Sequence, residues 1–148
     1  MASAELTGAG QPTQEDPPRR SSKILLEQTF TEDSLYGVRA AVAAHVATVA
    51  GERVVDTMVL IAHELASNAV RHGGGTGRLR LWLAEGALHC EVSDSGTGLE
   101  DPALAGHTLP APSLPGGRGL WIARQLSELR VATSTAGTTV TATLQLSI

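Results

Sequence analysis

The chain has 148 residues, of which 42% are hydrophobic and 3% are aromatic, and this length predicts one domain with a two-layer core of mainly aliphatic and alanine side chains. The formal net charge of −4 argues against nucleic-acid binding as a main role, because phosphate backbones are bound by clustered basic side chains. The single cysteine, Cys90, excludes an internal disulfide framework, and with no signal-peptide pattern and no apolar run long enough to span a membrane we expect a soluble cytoplasmic protein.

The first half of the chain predicts a tail, a strand and two helices. Residues 1–22 are rich in Gly, Pro, Gln, Ser and charge, which predicts a disordered tail before a domain at 23–148; a partner-binding arm is the alternative. Residues 24–30 predict a strand, and residues 31–34 offer N-cap side chains. Helical spacing then predicts two buried faces. The buried face of the first helix carries Leu35, Val38, Val42, Val46 and Val49, and Gly51 ends this pattern. The buried face of the second helix carries Val55, Met58, Val59, Ala62, Leu65 and Ala69.

The second half predicts mostly strands. In order, the expected elements are a glycine-rich turn at 73–77, strands at 78–83 and 87–93 joined by a tight turn, a mobile loop at 99–117, a helix at 120–129, and strands at 131–134 and 138–146. This order predicts an α+β fold. Its architecture would be a two-layer α/β sandwich in which helices cover one face of a mixed, mostly antiparallel sheet.

The end of the second helix carries two polar side chains on one face. Glu64 and Asn68 are four residues apart, so they lie one turn above the other; His72 continues the row, and Gly73 occupies a C-cap position. Burying a carboxylate beside an amide is costly unless something polar fills the space that the two side chains face. The alternative is a solvent-facing helix end with ordinary polar residues.

A second polar motif, Asp94-Ser95-Gly96-Thr97-Gly98, directly follows a predicted strand. Glycines allow a ligand to approach the backbone closely, and a carboxylate held there can accept a hydrogen bond from an exocyclic amine such as N6 of adenine. The alternative is an Asx turn, which Asp-x-Gly sequences commonly form.

A third motif, Gly116-Gly117-Arg118-Gly119, immediately precedes the last predicted helix. Free backbone N–H groups at a helix start favour an anion, and Arg118 adds a forked cation suited to phosphate oxygens. The alternative is a flexible hinge with a solvated Arg118. Lys23, the only lysine, follows no glycine-rich loop, which excludes a Walker-type phosphate loop.

Taken in order, these motifs resemble the GHKL ATP-binding superfamily of gyrase, heat-shock chaperone, histidine kinase and mismatch-repair ATPases. ELASNAVRHG (64–73) resembles its N box, DSGTGL (94–99) its G1 box, and GGRGL (116–120) its G2 box. The Gly-Thr pair at 137–138 matches the pair near the last strand of that fold. The resemblance covers about residues 24–148 and implies the Bergerat ATP-binding fold.

The resemblance also implies roles for individual residues. Asn68 would ligate Mg²⁺ at the ATP phosphates, Glu64 would act as the base or orient the nucleophile, and Asp94 would bind the adenine amine, supported by Thr138 through a shared water. Residues 99–116 would form the lid. The other implied nucleotide-binding residues are Arg71, His72, Gly96, Gly98, Gly117, Arg118, Gly119 and Leu120.

Within the superfamily, the short single-domain form and a Glu rather than a His at position 64 are most similar to the bacterial anti-sigma-factor serine-protein kinases. This resemblance implies ATP and Mg²⁺ as cofactors, and a sigma factor and an anti-sigma-factor antagonist as partners. Members of that family often work as homodimers. Because about 22 residues precede the first strand, we expect no phosphoacceptor hairpin of the kind that sensor histidine kinases carry, and we interpret His45 as a packed helix histidine. Two alternatives remain: an ATP- or ADP-sensing partner-binding module without kinase activity, and an interaction domain in which the glycines are incidental.

The prolines of the predicted lid give a first prediction. Pro102, Pro110, Pro112 and Pro115 restrict the backbone, so lid movement and turnover should be slow. We expect the Pro110→Ala and Pro112→Ala substitutions to speed nucleotide exchange, measured as the release rate of a fluorescent ATP analogue. Unchanged exchange rates would contradict a slow lid.

Overall fold

A computed structural model of the chain describes residues 22–96 and 118–146. The predicted tail up to residue 21 and the predicted lid with its four prolines lie outside these ranges. Ser22, the last residue of the predicted tail, is the first residue of a strand. In chain order the elements are β1 (Ser22–Thr31), a 3-10 turn (Glu32–Ser34), α1 (Leu35–Val46), α2 (Glu52–His72), β2 (Thr76–Ala84), β3 (Ala87–Asp94), α3 (Arg118–Leu126), β4 (Glu128–Ser134) and β5 (Gly137–Gln145).

The described strands form one five-stranded sheet in the order β1-β2-β3-β5-β4. All four pairings among the described strands are antiparallel, so the α+β class and the mostly antiparallel sheet are confirmed, and these strands form no parallel pair. Two helices separate β1 from β2 and return the chain to the end of the sheet that it left. Among the described strands, β4 runs in the same direction as β3, but β5 lies between them and pairs antiparallel with both.

The helices and one face of the sheet enclose a single aliphatic core. Val38, Val42 and Val46 of α1 are fully buried at four-residue spacing, as the helical pattern predicted. Leu79 and Leu81 of β2 alternate with polar residues and belong to the same cluster as the buried face of α2. This packing holds α2 across the sheet, which determines where its polar residues lie.

The first helix ends earlier than predicted. It stops at Val46, and Val49 lies in a turn in which its backbone N–H donates to the carbonyl of Val46. The hydroxyl of Thr48 donates to the carbonyl of His45 at 2.7 Å and so competes with helical bonding. A hydrogen bond from Nδ1 of His45 to the Ala41 carbonyl agrees with the interpretation of a packed helix histidine.

The last helix also ends earlier than predicted. It stops at Leu126, where the backbone N–H and the hydroxyl of Ser127 both donate to the carbonyl of Ala123. Leu129, predicted in this helix, belongs to β4 and pairs with Ala142. From the strand it still reaches the core, which explains why its hydrophobicity alone could not assign it to the right element.

The predicted turn at 73–77 is shorter in the structure, because β2 begins at Thr76. Gly77 pairs with Phe30, and a β-carbon at Gly77 would lie 2.5 Å from Cζ of that ring. The glycine therefore marks a place where an aromatic ring covers the strand rather than a turn. Cys90 on β3 is fully buried, and burial raises the pKa of its thiol to about 12, so it stays protonated at neutral pH. Within residues 22–96 and 118–146, no helix is long and apolar enough to cross a membrane.

Two leucines of α2 test this packing. Leu65 is 2% exposed and Leu60 is 42% exposed on the same helix. We expect Leu65→Ala to lower the free energy of unfolding by about 2–5 kcal/mol through lost burial and a residual cavity. Leu60→Ala should lower it by less than about 1 kcal/mol, because most of that side chain is already in water. Urea denaturation measures both, and equal losses would contradict the placement of α2.

Candidate functional site

The C-terminal half of α2 presents an amide and a carboxylate that no described side chain satisfies. Asn68 is 7% exposed and Glu64, one turn before it, is half-buried. Within the described ranges, neither side chain makes a hydrogen bond or an ion pair with another residue. The burial of Asn68 excludes a fully solvent-facing helix end. An amide that makes no hydrogen bond to the described residues is available to a ligand.

The first turn of α3 lies against Glu64. A β-carbon placed on Gly119 would be 2.8 Å from Oε1 of Glu64, so only glycine allows this approach with the carboxylate where it is. The next residue, Leu120, is 3% exposed and belongs to the hydrophobic core. Its side chain therefore anchors α3, and a role in nucleotide binding stays a prediction.

Asp94, the last residue of β3, forms the second part of the site. Its Oδ1 accepts a hydrogen bond from the backbone N–H of Gly96 at 2.9 Å and another from that of Thr138 at 3.3 Å. The first bond is the Asx turn that the sequence left open as an alternative. Oδ2 accepts no hydrogen bond from the part of the chain that the structure describes, so it can accept one from a ligand amine. The two interpretations are thus compatible, one for each oxygen.

Three glycines surround Asp94 at close range. A β-carbon on Gly73 would overlap the Asp94 carboxylate, and one on Gly96 would lie 2.6 Å from Cα of Gly73. Gly137, at φ +144°, packs directly on the Asp94 carbonyl. Gly73 follows α2 as predicted, but its φ of −110° shows that close approach, and not a left-handed cap, requires glycine there.

Thr138 supports Asp94 through its backbone rather than its hydroxyl. Its side chain is 5% exposed, and its Oγ1 lies 2.9 Å from Oγ1 of Thr133. The water-mediated role implied for Thr138 stays a prediction. Thr133 escaped the sequence analysis because a threonine in a β-rich segment carries no motif. A cleft of about 350 Å³ lies beside these residues, lined by Asp94, Ala132, Thr133, Ser134, Ala136, Gly137 and Thr139.

The described site residues thus form two groups joined by α2. Glu64 with Gly119 forms one group, and Asp94 with its glycines forms the other, at Gly73. Gly73 is nine positions after Glu64, which is roughly 13 Å along a helix. A ligand that contacts both groups must therefore be extended, as a nucleoside triphosphate is.

Other predicted residues lie at the margin or outside the described part. Arg71 and His72 are exposed in the last turn of α2. Gly98, Gly117 and the side chain of Arg118 lie outside the described residues. Among the residues that are described, no group of three or more His, Cys, Asp or Glu side chains could hold a metal ion. The magnesium role implied for Asn68 stays a prediction.

The two oxygens of Asp94 give a prediction that separates their roles. Asp94→Asn keeps an acceptor at Oδ1, so the free energy of unfolding should stay within about 1 kcal/mol of the unmodified protein. Asp94→Ala leaves the N–H groups of Gly96 and Thr138 without their acceptor and should cost about 1–3 kcal/mol. Urea denaturation measures the difference, and equal stability of the two variants would show that Oδ1 does not hold these segments together.

Comparison with known proteins shows which family this chain resembles. The model of the histidine kinase-like ATPase domain matches residues 29–144. The histidine kinase domain of the blue-light activated histidine kinase from Erythrobacter litoralis EL346 is 24% identical, with a TM-score of 0.48 over 61% of this chain and 43% of that chain. The histidine kinase domain of the Escherichia coli osmosensor EnvZ is 16% identical, with a TM-score of 0.46 over 82% of this chain and 89% of that one.

The chain spans less than half the length of the first of these two structures. No curated protein matches the sequence. The family match covers most of the chain, including the motifs at 64–73, 94–99, 116–120 and 137–138, and it implies ATP binding. The chain therefore belongs to the histidine kinase-like ATPase domain family.

Proposed function

We propose that this chain is a cytoplasmic, ATP-dependent serine-protein kinase that phosphorylates an anti-sigma-factor antagonist and also binds a sigma factor. The observation that carries the kinase part is Glu64, a half-buried carboxylate with no partner among the described residues, one turn from the buried amide of Asn68. The choice of serine and of these partners rests on the resemblance of the motifs to the anti-sigma-factor kinases, with Glu at position 64.

Each part of the site has a task in this proposal. Oδ2 of Asp94 would accept a hydrogen bond from the adenine amine, while Oδ1 keeps the carboxylate in place. The amide oxygen of Asn68 would ligate Mg²⁺ at the phosphates. The backbone N–H groups at the start of α3 would bind phosphate oxygens, because the N-terminal end of a helix favours anions.

Glu64 would act as the general base. ATP supplies the γ-phosphoryl group, and the serine hydroxyl oxygen forms a bond to the γ-phosphorus as the bond from that phosphorus to the bridging oxygen breaks. The proton of the hydroxyl passes to the Glu64 carboxylate, and ADP keeps the bridging oxygen. Since phosphoryl transfer needs mostly positioning and charge stabilisation, a single carboxylate at this place is sufficient base for a hydroxyl nucleophile.

Substitution of Glu64 tests the kinase. We expect Glu64→Ala to lower the transfer of labelled γ-phosphate to the antagonist serine by about a hundredfold or more, because a general base contributes on that scale. The dissociation constant for Mg·ATP, measured by calorimetry, should change by less than about threefold, since a base contributes little to ground-state binding. Glu52→Ala, on the exposed start of the same helix, is the matched control and should transfer phosphate normally.

Two results would contradict the proposal in different ways. Tight ATP binding without transfer to any cognate antagonist would exclude the kinase and favour a nucleotide-sensing binding module. Failure to bind Mg·ATP at millimolar concentration would exclude the ATP site itself and favour an interaction domain.

The sigma-factor part needs its own measurement. Purified sigma factors of the same organism, labelled and titrated with this protein in the presence of ATP or ADP, should include one whose fluorescence anisotropy rises. Light scattering of the same samples reports whether the protein is the homodimer that the resemblance implies. No rise with any sigma factor would remove the anti-sigma role and leave the kinase part standing.

A further inference from the structure

The contact between Gly119 and Glu64 joins two helices at the proposed base. A β-carbon on Gly119 would lie 2.8 Å from Oε1 of Glu64, and 3.4 Å from both its β-carbon and its carbonyl oxygen. Only the first distance is shorter than carbon and oxygen atoms allow without a shift. The carboxylate is therefore the part of Glu64 that requires a glycine at position 119.

Backbone conformation does not explain this glycine. Gly119 lies inside α3 and not among the glycines of positive φ, so an L-residue can adopt its backbone angles. Gly37 in α1 provides a comparison, because a β-carbon there would meet nothing within 4 Å. At Gly37 the missing side chain leaves open space, whereas at Gly119 that space is occupied by the carboxylate.

We propose that Gly119 is a positioning residue for Glu64: its bare α-carbon is the surface that holds the carboxylate in one orientation. The proposal rests on the role proposed above for Glu64. The carboxylate is the far end of a flexible side chain, so a methyl group at position 119 would be accommodated by rotation of Glu64. The methyl group would therefore change the position of the carboxylate and leave the free energy of unfolding nearly unchanged.

This role differs measurably from the one that the family resemblance implies for Gly119, which is closing over the phosphates. A glycine that approaches phosphates is needed for affinity, so its substitution raises the dissociation constant for ATP. A glycine that positions the base is needed for the chemical step, so its substitution lowers kcat and leaves that constant nearly unchanged.

The experiment tests Gly119→Ala. The matched control is Gly37→Ala, the same substitution on another helix. Glu64→Gln is measured alone and in combination with Gly119→Ala. The first readout needs no nucleotide: the carboxyl carbon resonance of Glu64 in the ¹³C-labelled protein should shift in Gly119→Ala and stay in place in Gly37→Ala. Urea denaturation should show both single glycine variants folded. In Gly119→Ala, kcat should fall about tenfold or more with an ATP dissociation constant within about threefold. Added to Glu64→Gln, Gly119→Ala should cause no further loss.

Each result decides one point. An unmoved Glu64 resonance in folded Gly119→Ala overturns the positioning role, whatever the activity. A raised dissociation constant with unchanged kcat assigns Gly119 to phosphate binding instead. Additive losses in the double variant show that Gly119 acts other than through Glu64. If the unmodified protein transfers no phosphate at all, the proposed kinase fails, while the resonance still decides whether Gly119 holds the carboxylate.

Discussion

The end of α2, the end of β3 and the start of β5 meet at the carboxyl group of Asp94, and this meeting determines the rest of the site. Oδ1 accepts hydrogen bonds from two backbone N–H groups, one local and one from the neighbouring strand. The segments can approach so closely only because Gly73, Gly96 and Gly137 carry no β-carbon. A carboxylate fixed by backbone donors cannot turn away, so Oδ2 keeps one direction.

Helix α2 connects the Asp94 group to the other polar side chains of the site, those of Asn68 and Glu64. Ile61 and Leu65 fix this helix in the core, and Asn68 is buried on the same side. Glu64 lies against α3 at Gly119. Among residues 22–96 and 118–146, neither the Asn68 nor the Glu64 side chain makes a hydrogen bond to another residue, so both are available to a ligand. The match to the histidine kinase-like ATPase domain family names ATP as that ligand.

Local patterns were sufficient for the type and order of the elements. Periodicity identified the valine face of α1, and alternation identified the hairpin of β2 and β3, because both depend on side chains close in sequence. The helix ends at Val46 and Leu126 come earlier than predicted, and the side-chain hydrogen bonds that Thr48 and Ser127 make to backbone carbonyls beside these ends leave no periodic signal in the sequence. The antiparallel sheet could not be derived either, because the insertion of β5 between β3 and β4 is a long-range pairing. Motifs identified Asp94 and Gly119, but not that Gly119 lies against Glu64, which is a contact between distant segments.

The position of Glu64, Asn68 and Gly73 on one uninterrupted helix has a consequence for which sequence changes the protein tolerates. Inserting one residue between Glu64 and Gly73 would rotate everything beyond it by about 100° and advance it by about 1.5 Å. Asn68 would then leave its face of α2, or Gly73 would no longer fit beside Asp94. Substitutions on the exposed side of α2 leave this geometry intact, whereas any change in its length within these ten residues separates the two halves of the site. The spacing in this stretch is thus as much a requirement of the site as the residues themselves.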